Sequence, residues 1–196
     1  RPWVLFVGLV APHFPLVVPQ RYLDLYPPDT MPMPKLLPRD GYRRHPWVAR
    51  QARHMDHDAA IGTDERRRLA IASYHALVTF LDDQVGRILE ALHSHGLRDD
   101  TLVIYSSDHG DNLGARGMWN KCLLYRESTG VPMIVSGPGV PRGAVRHTCA
   151  NLTDFYPTLL DALGLAPDDA EATLPGRSLR ALAAAPDDLE RIGFSE

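Results

Sequence analysis

The sequence has little cysteine, only Cys122 and Cys149 in 196 residues. Two thiols so far apart build neither a disulfide scaffold nor a four-cysteine zinc site, so both are expected as free thiols. There is no run of 18 apolar residues, which excludes a membrane-spanning helix. The N-terminus shows no basic segment leading into an apolar stretch and a small-residue cleavage site, so no signal peptide is visible; the compartment stays open, with the cytoplasm slightly favoured. Nor is there an excess of one charge: 21 Lys and Arg stand against 24 Asp and Glu, a formal net charge of −3. A chain without a positive field is expected to bind neither nucleic acid nor an anionic membrane. Repeats and low-complexity tracts are lacking, and so is an initiating methionine. The chain opens Arg1-Pro2, enters an apolar run at once and stops at Ile192-Gly193-Phe194-Ser195-Glu196 as a new one begins. It is therefore expected to be a piece of a larger domain.

What is present is the makeup of a globular protein, 44% hydrophobic and 23% charged. Such a chain buries a core without needing a disulfide or a structural metal. The even overall charge hides a basic middle, with nine Lys and Arg against five Asp and Glu in 35–68, and an acidic end, with three against nine in 151–196. Trp3 to Val10 is a nearly continuous apolar run, the pattern of a strand buried on both faces, and the prolines of Ala11-Pro12-His13-Phe14-Pro15 end it. Residues 19–62 carry prolines at 19, 27, 28, 32, 34, 38 and 46 and predict a long irregular excursion. Thr63 followed by Asp64 and Glu65, then apolar residues at helical spacing from Leu69 to Leu92 and a stop at Gly96, predicts one long helix. Thr101–Ser106 and Val131–Val135 read as further strands, and Asn151 or Thr153 caps a helix that ends at Gly164. Strand, helix, strand in this order predicts an α/β fold with a mostly parallel sheet flanked by helices, incomplete at both ends.

In parallel α/β sheets, ligands bind beyond the carboxyl ends of strands, so the loops after the apolar runs are the places to look. One holds Asp108 and His109, a carboxylate beside an imidazole, which suits a divalent cation; Asp and Gly in such a loop also serve as turn formers. Lys121 follows in Gly117-Met118-Trp119-Asn120-Lys121, where its ammonium either meets an anionic group or is simply solvated. His13, between two prolines, is either a positioned proton donor or a structural histidine. His54 and His57, like His93 and His95, lie on polar stretches and are expected to face solvent, while Cys122 is expected to be a packed thiol. Asn151-Leu152-Thr153 matches the glycosylation pattern but reads as a helix cap.

Four segments in order carry a family likeness: Phe6 to Pro15; Tyr74 with Phe80-Leu81-Asp82-Asp83-Gln84-Val85-Gly86; Ser106-Ser107-Asp108-His109-Gly110-Asp111 through Lys121; and Val131 to Val140. The chain resembles the sulfatase family of the alkaline-phosphatase-like superfamily, in particular its choline-sulfatase-like and phosphonate-monoester-hydrolase-like branch, from Trp3 to about Ala162. The resemblance implies an alkaline-phosphatase-like fold and makes residues 1–196 the central and later part of a sulfatase catalytic domain. It implies that Asp108 and His109 are one pair of ligands to a divalent metal, expected to be calcium, with manganese or magnesium in relatives. It makes Lys121 the residue that binds the sulfate or phosphate oxygens, and His13 the general acid near the leaving-group oxygen. Both would be catalytic and substrate-binding. The substrate it implies is a small-molecule sulfate ester, and the nucleophile a formylglycine made from Cys or Ser.

The sequence departs from the family at one point. The family's nucleophile lies in a Cys/Ser-x-Pro-x-Arg motif, and neither Cys122, Cys149 nor any serine of this sequence stands in one. The expectation is that the nucleophile and the other metal ligands lie outside these residues and that they are inactive alone. Hydrolysis of phosphonate monoesters or phosphodiesters by the same metal, histidine and lysine is the alternative, and a noncatalytic metal-binding remnant is the other.

Overall fold

The computed structural model describes residues 2–195; Arg1 and Glu196, the ends of the expected domain, lie outside the described residues. In chain order the helices and strands are α1 (Gln20–Leu23), α2 (Pro46–His54), α3 (His57–Ile61), α4 (Asp64–Ser94), β1 (Val103–Ser106), α5 (Arg126–Thr129), β2 (Met133–Ser136), α6 (Phe155–Leu163) and α7 (Leu179–Ala184), with short 3-10 turns between them. They fall into two compact units. The first is Arg1–Val4, Leu92–Asp108 and Val131–Glu196; the second is Leu5–Ala91 and His109–Gly130.

The second unit is built around α4. Thr63 caps it, its Oγ1 accepting from the Arg66 amide at 3.3 Å. Ile71, Ala72, Ser73, Ala76 and Leu77 form its buried face. The chain after His13 straps across this helix. The Tyr22 hydroxyl donates to Asp83 at 2.7 Å, its ring meets Phe80 edge-on at 5.5 Å, and the Tyr26 hydroxyl bonds Thr79 at 2.7 Å. Within 19–62 the regular pieces are three short helices, of which α2 is the longest. Val48 and Ala52 of α2 close a core with Met118 and Leu123, against which Tyr125 packs. That contact anchors the segment carrying Lys121, since burying a Val, Met or Leu side chain such as these contributes about 1.5–3 kcal/mol.

In the first unit α4 ends as the sequence predicts. Gly96 adopts φ +67°, the Leu97 amide reaches the Leu92 carbonyl at 2.9 Å, and helical pairing stops. The sheet differs from expectation. Among the described residues it has two strands, and β1 and β2 pair antiparallel, Val103 opposite Ser136 and Ser106 opposite Met133. The predicted parallel arrangement is not seen for this pair, because apolar periodicity does not encode the direction of a neighbour. At Gly137, φ +134°, a Cβ would collide with the Thr101 carbonyl, so only glycine lets the chain leave β2 so close to β1. Asn151 and Asp154 form a reciprocal capping box ahead of α6, and Gly164 at φ +67° ends it.

The expected strand Trp3–Val10 is also corrected. No strand is assigned there, and its side chains are exposed, Phe6 by 90% and Val10 by 78%. A strand exists only where a neighbour takes up its amides and carbonyls, and no strand among the described residues pairs with this run.

Candidate active site

His13 sits in the loop that closes the apolar run, between two cis prolines. The Phe14 carbonyl can only accept, so the imidazole Nδ1 carries a proton and donates to it at 2.8 Å. The other nitrogen, Nε2, therefore presents a lone pair. It accepts from the Lys121 ammonium at 2.6 Å. The Phe14 ring stacks on His13 with centroids 4.3 Å apart and lies 5.7 Å from Lys121 Nζ. The His109 ring is 5.9 Å from that of His13. Its Nδ1 donates to the Gly110 carbonyl at 2.9 Å, which makes Nε2 the lone-pair nitrogen, the form in which histidine ligates metals.

The loop between His109 and Lys121 is held by its own polar groups. The Gly110 amide donates to the Ser128 carbonyl at 2.7 Å, and the Gly114 amide to the Met118 carbonyl at 2.8 Å. Asn112 is buried; its amide donates to the Asn120 carbonyl at 2.9 Å, and its Nδ2 to the same carbonyl at 2.5 Å and to Ser128 Oγ at 3.2 Å. Asp111 Oδ1 accepts from the amides of Leu113 and Asn120. The base of the loop is braced again by Arg44, which donates to the carbonyls of Arg116 and Gly117 at 2.7 and 3.0 Å. Glu127 takes Lys35 at 2.6 Å and Arg116 at 3.0 Å. These cations hold its carboxyl down at about 2, the Lys35 hydrogen bond contributing most.

Of the four residues the sequence singled out, the second unit brings together His13, His109 and Lys121. Asp108 is exposed, ends a segment of the first unit one peptide bond before His109, and accepts from Ser107 Oγ at 3.3 Å. Sequence reasoning missed Phe14, which its place beside His13 alone could have flagged, and the polar ring of Asp111, Asn112 and Asn120. It also misplaced two side chains. His57 is half-buried and bonded to Asn120 at 2.7 Å, and Cys122 is exposed rather than packed, because Leu123 next to it takes the core position. His54, His93 and His95 are exposed, as expected.

Among the described residues no three His, Cys, Asp or Glu side chains converge as a complete metal cage. An Asp carboxylate and a His with its Nε2 lone pair are suitable donors for part of a divalent ion's coordination sphere. No helix of the described residues is long and apolar enough to cross a membrane.

The second unit thus sets a lysine against a histidine in an anchored loop, with a second imidazole nearby. The chain's structural likeness is to hydrolases. It superposes on a phosphonate monoester hydrolase from Silicibacter pomeroyi with TM-score 0.80 and 33% identity, covering 91% of this chain and 37% of that one. Against the phosphonate monoester hydrolase of Agrobacterium radiobacter the TM-score is 0.82 at 29% identity, covering 98% and 40%. In sequence it is 34% identical to a choline-sulfatase of Rhizobium meliloti over 181 residues, 91% of this chain and 35% of that protein. The sulfatase family profile matches residues 1–165, and the chain belongs to that family, with the alkaline-phosphatase-like fold of its neighbours. It spans about a third of the length of the curated relatives it matches.

Proposed function

We propose that residues 1–196 are part of a sulfatase catalytic domain and that the protein is a sulfuric ester hydrolase acting on a small-molecule sulfate monoester. The observation that carries this reading is the 2.6 Å hydrogen bond from Lys121 Nζ to His13 Nε2. A cation for the ester oxygens and an imidazole for the leaving oxygen are in direct contact. When the sulfuryl group binds, its anionic oxygens take over the Lys121 ammonium, and His13, released from that contact and protonated at Nε2 from solvent, donates this proton to the bridging oxygen as the S–O bond breaks. The Nδ1 bond to Phe14 keeps the imidazole oriented during that transfer. Asp108 and His109 are the proposed ligands of a divalent cation, calcium by preference, which when bound neutralises ester oxygens. The nucleophile, a formylglycine, is proposed to come from residues other than these 196, since no Cys/Ser-x-Pro-x-Arg occurs among them.

The likeness to phosphonate monoester hydrolases favours a second reading, in which the same histidine and lysine serve a phosphonate monoester or phosphodiester. Hydrolysis of 4-nitrophenyl sulfate and of 4-nitrophenyl phenylphosphonate by the protein separates the two. His13→Asn is expected to lower kcat by about 10²–10⁴ with an alkyl sulfate and by less with the nitrophenyl ester, whose leaving group needs little protonation. An equal loss with both would overturn the role given to His13. Turnover of either ester by the 196 residues alone would overturn the proposal that the nucleophile lies elsewhere.

A further inference from the structure

We propose that His57 and Asp58, at the start of α3, are positioning residues for Lys121, acting through the two residues that precede it. The proposal rests on Lys121 being the anion-binding lysine.

Lys121 has a long, flexible stem, so the place of its ammonium depends on where the backbone aims Cα–Cβ. The residue before it, Asn120, has φ +67°, a left-handed conformation that a non-glycine residue keeps only where its surroundings enforce it. Three polar groups of Asn120 are enlisted in doing so. Its amide donates to Asp111 Oδ1 at 3.2 Å, its carbonyl accepts from the buried Asn112, and its Nδ2 donates to His57 Nδ1 at 2.7 Å. An amide nitrogen only donates, so His57 Nδ1 is here the acceptor. One residue further back, Trp119 Nε1 donates to Asp58 Oδ1 at 3.0 Å.

Two consecutive residues of α3 thus grip the two consecutive residues ahead of Lys121. The grip is itself fixed. Arg67 of α4, 7% exposed, donates to Asp58 from Nε at 2.9 Å and from Nη2 at 2.8 Å, a bidentate fork that sets the carboxylate plane. Asp56 Oδ1 accepts from the Ala59 amide and caps α3, fixing the turn that carries His57. The line runs from α4 through Asp58 and Trp119, and through His57 and Asn120, to a lysine whose Nζ ends on His13. No substrate contact is assigned to His57 or Asp58. Their effect is on where Lys121 stands.

The test is binding of inorganic sulfate to the protein by calorimetry, with the melting temperature measured beside it. Lys121→Met sets the floor. His57→Ala and Asn120→Ala are each expected to weaken sulfate binding about tenfold, the scale of one lost hydrogen bond. The double variant should be no worse than either single one, since both break the same contact. His57→Gln, whose amide oxygen can accept from Asn120, should recover most of the affinity. Trp119→Phe keeps the ring, loses only the N–H, and gives a smaller loss in the same direction, which preserves the comparison if His57→Ala does not fold. If Lys121→Met abolishes sulfate binding while His57→Ala and Asn120→Ala leave it unchanged, the positioning proposal is overturned and the functional reading stands. Losses that follow the melting temperature and are not recovered in His57→Gln overturn it too, as a merely structural contact. If Lys121→Met binds sulfate like the native protein, the functional reading fails, and the proposal with it.

Discussion

Gly110 shows how narrowly the start of the site loop is specified. A Cβ there would collide with the Glu127 carbonyl and come within 3.1 Å of the Gly130 carbonyl, and both obstacles are backbone. Gly110→Ala is therefore expected to cost about 1–3 kcal/mol in a denaturant titration and to displace His109, its neighbour. Glu127, on the other side of that contact, gives a prediction in pH. Its folded value of about 2 lies below the ordinary glutamate value of 4.5, so its contribution is fully present above 4.5 and is lost as pH falls toward 2. Lys35 is 65% exposed, so the full linkage value must be cut for solvent screening, to about 1–2 kcal/mol. Glu127→Gln should lower stability by that much at pH 7. The gap to the native protein should close on acid titration followed by circular dichroism, and a gap that persists at pH 2 would mean the ion pairs are not its cause.

At the scale of elements, what was legible followed from what is local. The α4 helix announces itself by a cap residue, 31 residues of periodicity and a terminal glycine, and Thr63 and Gly96 perform those roles. The α6 cap is equally local. Strand pairing and site geometry depend instead on contacts between distant residues. Trp3–Val10 has the apolar content of a buried strand, yet content does not name a partner; His57 lies on a polar stretch, and nothing local reports its partner Asn120, 63 residues away. The loop positions of His13, His109 and Lys121 were readable from motifs, but their mutual orientation was not. The Asp154 cluster is another contact no periodicity reports. Fully buried, Asp154 accepts from the Asn151 and Arg177 amides at 2.8 Å each and from Arg191 Nη2 at 2.6 Å. Arg191→Ala would leave that carboxylate without its counter-ion and is expected to cost about 3–5 kcal/mol. Arg180→Ala, which removes a 3.4 Å pair to a well-exposed Asp161, should cost under about 1 kcal/mol. Thermal unfolding of the two variants side by side checks the contrast.

For the whole molecule, the proposed metal pair is Asp108 and His109, neighbours in the chain, and among the described residues no three His, Cys, Asp or Glu side chains form a group that could hold the ion. A pair of donors leaves most coordination positions to water, substrate or other residues of the protein, so affinity for a hard cation depends steeply on each donor present. Binding to the folded state raises stability by RT ln(1 + [L]/Kd), about 2.7 kcal/mol when calcium stands at a hundred times its Kd. The protein is therefore expected to melt higher as calcium is added, with the rise saturating and reversed by a chelator. Asp108→Ala should shift the titration midpoint to at least about tenfold higher calcium, while leaving the calcium-free melting temperature nearly unchanged, because the side chain is exposed. His109→Ala should shift it in the same direction, with some loss of calcium-free stability through the broken bond to Gly110. Identical calcium curves for the native protein and Asp108→Ala would remove Asp108 from the metal site and leave Lys121 and His13 as the only assigned anion-handling groups of this chain.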